Sequence, residues 1–377
     1  KHRENLQYRA RTWTKDTFQR DLMSFTWKVH HQRAMVSRSS PRYAYSFNCG
    51  VEAEAAGRSL TKSFVALRSD LDVLPFLLAG TGDVVVAAPP SAAHIAQLRA
   101  AGFADLPAFE AKVPSGAVHR PFGAVGDHLR RSNIARYRTD VAICRTLDEA
   151  LDAAERFGPR FVMKAEFSSS GLGVLVCDGG RAALEPLADA DSCARGARRW
   201  VEKRLRQDGV LTLEPWLEIL AEFSGEFLNG AWNGVSCCMV EHCRWQGQWL
   251  APPHERLPPE IHTFVFVERA VEHALCALGV ERDSPTCGVD VAIVRDAASG
   301  ALAVRLMELN ARTTMSHYAL AAQQRVPAAR TFEVLHLAEL AKRSREHLIF
   351  LTDPTVATMF CAVLDCAPRS QLVHAVP

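Results

Sequence analysis

No apolar run in the 377-residue sequence approaches the ~18 residues that a membrane-spanning helix needs, so a soluble protein is expected. Charge of one sign is also missing. Lys plus Arg number 44 and Asp plus Glu 42, a net charge of only +2, which leaves no global field to draw nucleic acid or an anionic membrane. The 11 cysteines are odd in number and scattered without framework spacing, which argues for free thiols in a reducing, cytoplasmic setting. Cys237 and Cys238, with His242 and Cys243, lack the paired-ligand spacing of zinc sites and read as small buried hydrophobes. No Ser-His-Asp or Cys-His constellation is evident, so a protein nucleophile is not expected. Internal repeats, low-complexity tracts and a signal-peptide pattern are absent too, and the chain opens on Lys1 rather than Met, as a fragment or processed product would.

What is present is a composition typical of globular proteins, 48% hydrophobic and 23% charged, over a length that suggests about two to three domains. Residues 1–42 stand apart: ten Lys or Arg, three His and three acids, interleaved with Trp13, Phe18, Phe25 and Trp27. They read as a basic arm packed on the body by its aromatics. From Tyr43 the pattern turns to α/β. Ser63–Leu67 and Asp83–Ala88 read as strands and Ala92–Ala101 as a helix ended by Gly102, which suggests a small parallel sheet over residues 43–122.

A second unit, 123–213, carries a helix from Leu147 to Arg156 stopped at Gly158-Pro159. A strand, Arg160–Glu166, then leads into the loop Phe167-Ser168-Ser169-Ser170-Gly171-Leu172-Gly173. Residues 181–210 suggest one amphipathic helix. The third unit, 214–352, starts at Glu214-Pro215-Trp216-Leu217; its 232–249 stretch reads as strands turning at Gln246-Gly247-Gln248. Helices are expected at Thr263–Leu278 and Phe332–Lys342, and residues 353–377 form a tail.

Two stretches carry chemistry. In Leu306–Arg312, Glu308 and Asn310 stand two residues apart in an apolar strand, with Arg312 two further on, so strand alternation would project all three from one face. Asp290 lies in a second such run, Cys287–Val294. Adjacent antiparallel strands would gather Asp290, Glu308 and Asn310 as hard oxygen donors suited to Mg²⁺, which takes one or two carboxylates while phosphates supply the rest. The Ser/Gly loop leaves backbone N–H groups open to phosphates, and Lys164 on its feeding strand adds positive charge.

In this order, Lys164 with Ser168–Gly173, Glu214–Leu217 with Glu222-Phe223-Ser224, Gly288-Val289-Asp290, and Glu308-Leu309-Asn310-Ala311-Arg312, the chain resembles the ATP-grasp superfamily over roughly residues 125–340. The resemblance implies two α+β subdomains that sandwich ATP, preceded by a small parallel α/β domain. It implies that Lys164 contacts the α- and β-phosphates, that Ser168, Ser169, Ser170, Gly171 and Gly173 belong to a loop closing over them, and that backbone groups of Glu214, Trp216 and Leu217 meet the adenine edge. Glu222 would bind the ribose, and Asp290, Glu308 and Asn310 one or two Mg²⁺ ions. Arg312 would sit at the γ-phosphate or at a substrate carboxylate.

The sequence departs from the pattern where a second basic residue is usual; His128, Arg130 or Arg131 must serve, or the contact is missing. Nothing suggests bicarbonate or biotin handling. The resemblance implies an ADP-forming ligase that joins a carboxylate, an amino acid or a peptide, to an amine through an acyl phosphate. Its partners would be those small molecules, with a homodimer allowed and neither nucleic acid nor membrane involved. Ser316, His317 and Arg256 are candidates for substrate contact. A nucleotide-binding regulator without strong catalysis and a small-molecule kinase are the alternatives.

Overall fold

The computed structural model describes residues 42–123, 130–167, 173–185, 194–241, 244–250, 264–280, 286–295 and 300–366. The first unit contains β1 (Tyr43–Ser46), α1 (Val51–Ala55), α2 (Lys62–Asp70), β2 (Val84–Val86), α3 (Ala92–Ala100), β3 (Ala108–Glu110) and β4 (Val118–Pro121). Its four strands form a parallel sheet in the order β3-β2-β1-β4.

Next come β5 (Ala142–Cys144), α4 (Leu147–Phe157), β6 (Arg160–Ala165), β7 (Val174–Asp178), α5 (Ala194–Asp208) and β8 (Leu211–Pro215). Their strands make an antiparallel sheet, β5-β8-β6-β7. Thr146 and Glu149 close a reciprocal cap on α4, Ala150, Leu151 and Ala154 are buried along one face, and Gly158 at φ 85° ends it.

The remainder is β9 (Ile219–Leu228), β10 (Ala231–Glu241), β11 (Arg244–Trp249), α6 (Phe264–Leu278), β12 (Cys287–Arg295), β13 (Leu302–Asn310), α7 (Met315–Arg325), β14 (Thr331–His336), α8 (Leu337–Leu340), β15 (Leu348–Phe350) and β16 (Phe360–Asp365). One eight-stranded antiparallel sheet runs β13-β12-β9-β10-β11-β14-β16-β15. The fold is a mixed α/β architecture in which a parallel four-stranded sheet precedes two antiparallel ones.

Burial ties these parts together. Phe47, Leu71, Phe76 and Phe103 of the first unit share a core with Tyr318, Phe332 and Leu364 of the large-sheet unit. Each fully buried aromatic or aliphatic side chain there contributes roughly 1.5–3 kcal/mol of transfer free energy. Asp70 adds a polar staple: its carboxylate accepts from the backbone N–H groups of Thr358, Met359 and Phe360, each at 2.8 Å. On the other half of the sheet, α6 packs Val267, Val271 and Leu275 against β9 and β12.

Three expectations are corrected. Ser63–Leu67 is not a buried strand but the start of α2, capped by Thr61, whose Oγ1 accepts from Phe64 N; Val65 is 54% exposed, which a buried strand would not allow. The apolar run was too short to show which period it follows. Phe332–Lys342 begins as the strand β14, held between β11 and β16, with only one helical turn, α8, after it. Gln246-Gly247-Gln248 lies inside β11; Glu241 pairs with Arg244, so the hairpin closes there. Of the expected arm, 1–42, and tail, 353–377, residues 1–41 and 367–377 lie outside the described residues, and residues 360–365 of that tail form β16 between β14 and β15.

Candidate active site

A cleft of about 820 Å³ lies between the β6-β7-β8 face and the large sheet, with the first unit closing one end. Val162, Lys164, Val174 and Val176 face it from one side, Glu222, Ser224, Cys238, Asp290 and Glu308 from the other. Both patterns follow from strand alternation: residues two apart share a face.

The register of β12 against β13 places Asp290 opposite Glu308 and Gly288 opposite Asn310. On its other edge β12 sets Asp290 beside Ser224 of β9. Asn310 Nδ2 donates to Asp290 Oδ2 at 3.1 Å, and Ser224 Oγ lies 2.9 Å from Asp290 Oδ1 and 2.7 Å from Glu226 Oε1. Burial, and then the Glu308 carboxylate opposite, push Asp290 up to about 7. A serine hydroxyl carries one proton. Ser224 therefore donates to one of these two carboxylates at a time.

Two facing carboxylates are a hard-oxygen donor set of the kind that fits Mg²⁺. Among the described residues no group of three or more His, Cys, Asp or Glu side chains is gathered for a metal, so such an ion would draw its other ligands from substrate oxygens. Asn310 turns its amide nitrogen to Asp290 and so braces that carboxylate.

Lys164, on β6, donates from Nζ to Met307 O at 3.2 Å, one residue before Glu308. The same Nζ lies 2.7 Å from Glu214 Oε1, and Arg138 Nη1 lies 2.6 Å from Glu214 Oε2. Burial would raise the Glu214 pKa, but Lys164 and Arg138 outweigh it and lower it. Arg138 also reaches Leu306 O at 3.1 Å and Asp140 at 2.8 Å. Beyond Leu213 the β5 edge of β8 has no strand partner among the described residues, which leaves the Glu214–Leu217 backbone on an open edge. Trp216 is on the rim, its ring 3.8 Å from the Arg160 guanidinium. Glu222 is half-buried; burial raises its pKa and Lys164 opposes.

Arg312 falls two residues after β13 ends. Its Nη2 donates to Glu52 Oε1 of α1 at 2.7 Å, Nη1 donates to Thr313 O at 3.1 Å, and the guanidinium sits 5.3 Å from the Phe122 ring centre. Glu308, Asn310 and Arg312 all line the one cleft.

His317 is corrected as a substrate contact. It is fully buried, with Nδ1 2.7 Å from Glu226 Oε2 and Nε2 3.0 Å from Phe227 O. Burial works against its charged form, but Glu226 and the Phe227 carbonyl outweigh it and raise the pKa. Ser316, at the cleft wall, is 2.6 Å from the Gln248 amide; turned so that every donor meets an acceptor, that amide oxygen also accepts from Trp245 Nε1 at 2.9 Å.

Ser168, Ser169, Ser170, Gly171, Arg256 and His128 lie outside the described residues, as does the Arg131 side chain. Gly173 is described, and its carbonyl accepts from Ala165 N at 2.8 Å. Arg130 Nη1 is 3.7 Å from Glu166 Oε1, and Glu166 is held by Ser132 N and Oγ at 3.0 and 2.6 Å. Sequence reasoning missed Glu52, Arg138, Ser224 and Glu166 as site residues. Only Ser224 offered a signal, through its place after Glu222-Phe223.

No family model matches the sequence, and no curated protein does. Among solved structures, the fold is similar to N5-carboxyaminoimidazole synthetase from Staphylococcus aureus at 10% identity, covering 89% of this chain and 96% of that one with a TM-score of 0.45. It is similar to the biotin carboxylase domain of the Hydrogenobacter thermophilus 2-oxoglutarate carboxylase, which was solved with MgADP, ADP and bicarbonate. There the identity is 15%, the coverage 60% of this chain and 57% of that one, and the TM-score 0.39. The D-cycloserine synthetase DcsG gives 15% identity, 75% and 98% coverage, and a TM-score of 0.35. These are likenesses at 10–15% identity, and what the site can do rests on its own residues.

Proposed function

We propose that the protein is an ATP-dependent, ADP-forming ligase that joins a carboxylate to an amine. The observation that carries this reading is Lys164: from one sheet its ammonium reaches Met307 O at 3.2 Å, beside Glu308 of the other sheet, so the cation and the carboxylate pair border one cleft. A triphosphate needs cations on one side and a metal on the other. The open edge at Glu214–Leu217 suits the adenine, Glu222 the ribose, and Lys164 the phosphates.

Asp290 and Glu308 are the residues that would hold Mg²⁺, which supplies counter-charge to the phosphates when bound. Lys164 contacts the α- and β-phosphates, and Arg312, near the end of β13, holds the carboxylate to be activated. A carboxylate oxygen bonds to the γ-phosphorus as the bond to ADP breaks; an amine then displaces phosphate from the acyl phosphate and gives up its proton. Positioning and charge stabilisation supply the rate, and no protein nucleophile is needed.

A nucleotide-binding protein with weak catalysis is the second reading, favoured by one observation: Lys164 and Arg312 are both already paired with carboxylates. Incubation with ATP, Mg²⁺ and pooled amino acids separates ligase, regulator and small-molecule kinase. A ligase releases ADP with a condensed product, a kinase leaves a phosphorylated one, and a regulator releases neither. Glu308→Ala should lower ADP release at least about a hundredfold, a cost of about 2.7 kcal/mol, with the fold retained by circular dichroism. Near-normal release from that variant would sink the ligase assignment.

A further inference from the structure

The end of the cleft closed by the first unit holds an ion pair rather than a single charge. Glu52, on α1, and Arg312, after β13, meet at 2.7 Å although 260 residues separate them in sequence, and both line the cleft wall. Their side chains keep only 9% and 13% of their exposure. The surrounding wall is apolar: Phe47, Phe64, Leu67, Phe122 and Met315 line the same cleft, with the Phe47 and Phe122 rings 4.7 Å apart.

We propose that Glu52 and Arg312 together recognise a zwitterionic α-amino acid with an apolar side chain; that its carboxylate is the one activated rests on the ligase reading above. A pair of opposite charges in a pocket selects by sign. A simple carboxylate that approaches Arg312 also meets the Glu52 carboxylate, and a simple amine that approaches Glu52 meets the guanidinium. An amino acid lies head to tail along the pair, its ammonium on Glu52 and its carboxylate on Arg312, so that no charge is left desolvated without a partner. Its side chain then meets Phe47, Phe64 and Phe122, where apolar surface is favoured and a charged side chain would be stranded. In the chemical step one oxygen of the Arg312-held carboxylate bonds to the γ-phosphorus while the bond to the ADP oxygen breaks. Nothing is oxidised or reduced.

The test is calorimetric titration of the full chain, without ATP, with phenylalanine, 3-phenylpropionate, phenethylamine and glutamate, repeated on Glu52→Gln and Glu52→Asp. Phenylalanine should bind at least tenfold more tightly than either single-charge analogue and than glutamate. In Glu52→Gln that advantage over 3-phenylpropionate should vanish, with Glu52→Asp intermediate. Equal affinity for phenylalanine and 3-phenylpropionate in the parent chain, no amino-acid binding, or an unchanged phenylalanine affinity in Glu52→Gln would each overturn the proposal. If Glu52→Gln does not fold, the analogue series on the parent chain still decides. The ligase reading fails separately: phenylalanine binding that depends on Glu52, without ADP release under any pooled substrate, would leave the recognition site standing and remove the chemistry.

Discussion

His317 shows how a residue with a plausible chemical role can be committed elsewhere. Both ring nitrogens are engaged: Nδ1 lies 2.7 Å from Glu226 Oε2 and 3.1 Å from Thr314 N, and Nε2 lies 3.0 Å from the Phe227 carbonyl oxygen. Because the folded-state pKa lies above the ordinary 6.5, the native state keeps its proton where the unfolded chain loses it. The stability this gives is fully present below about pH 6.5 and is lost as pH rises through the folded pKa. His317→Asn should cost about 3–5 kcal/mol in urea unfolding at pH 6 and should flatten the decline of stability above neutrality. A variant that keeps the same slope would place the titration on another group.

At the scale of elements, the junction of β12 with the start of α7 fixes where the carboxylate pair stands. A Cβ built on Gly288 would sit 2.3 Å from Thr314 Cγ2 and 2.7 Å from Glu226 Oε2, so strand and helix start meet with no room for a methyl group. Gly288→Ala should therefore cost about 1–3 kcal/mol by overpacking and lower ADP release by shifting Asp290, two residues along. Wild-type unfolding midpoint and turnover in that variant would show that the junction gives way freely.

For the whole molecule, the first unit is joined to the far half of the large sheet by a shared aromatic core and by Asp70. That carboxylate serves three consecutive backbone N–H groups of the segment entering β16. Hydrogen bonds to a charged acceptor are worth about 1.5–3 kcal/mol each, and leaving buried donors unmet costs as much again. Asp70→Ala should lose about 3–5 kcal/mol and expose the 43–122 segment to limited proteolysis before the rest of the chain. A loss under about 1 kcal/mol would mean that the apolar core alone holds the unit. Since Glu52 reaches the cleft from this unit, the staple also sets the position of the proposed amino-acid site.

Much of the layout was legible from local pattern. The period-two runs at 287–294 and 306–310, the helix stopped by Gly158 and the lysine ahead of a Ser/Gly loop each depend on residues close in sequence, where spacing alone dictates which side chains share a face. Short apolar runs were not legible: Ser63–Leu67 became a helix and Phe332–His336 a strand, because capping and neighbouring strands decided what five residues could not. The partners of the charged groups lay further out of reach. Glu52 with Arg312, Arg138 with Glu214 and Asp70 with Thr358–Phe360 join residues from separate parts of the chain, and only packing can bring such charges together. The sequence by itself determined the donors of the candidate site, Lys164, Asp290 and Glu308. Tertiary structure alone decided which of them face one cleft and which carboxylate holds Arg312, since the energy of a buried charge depends on what folding places beside it.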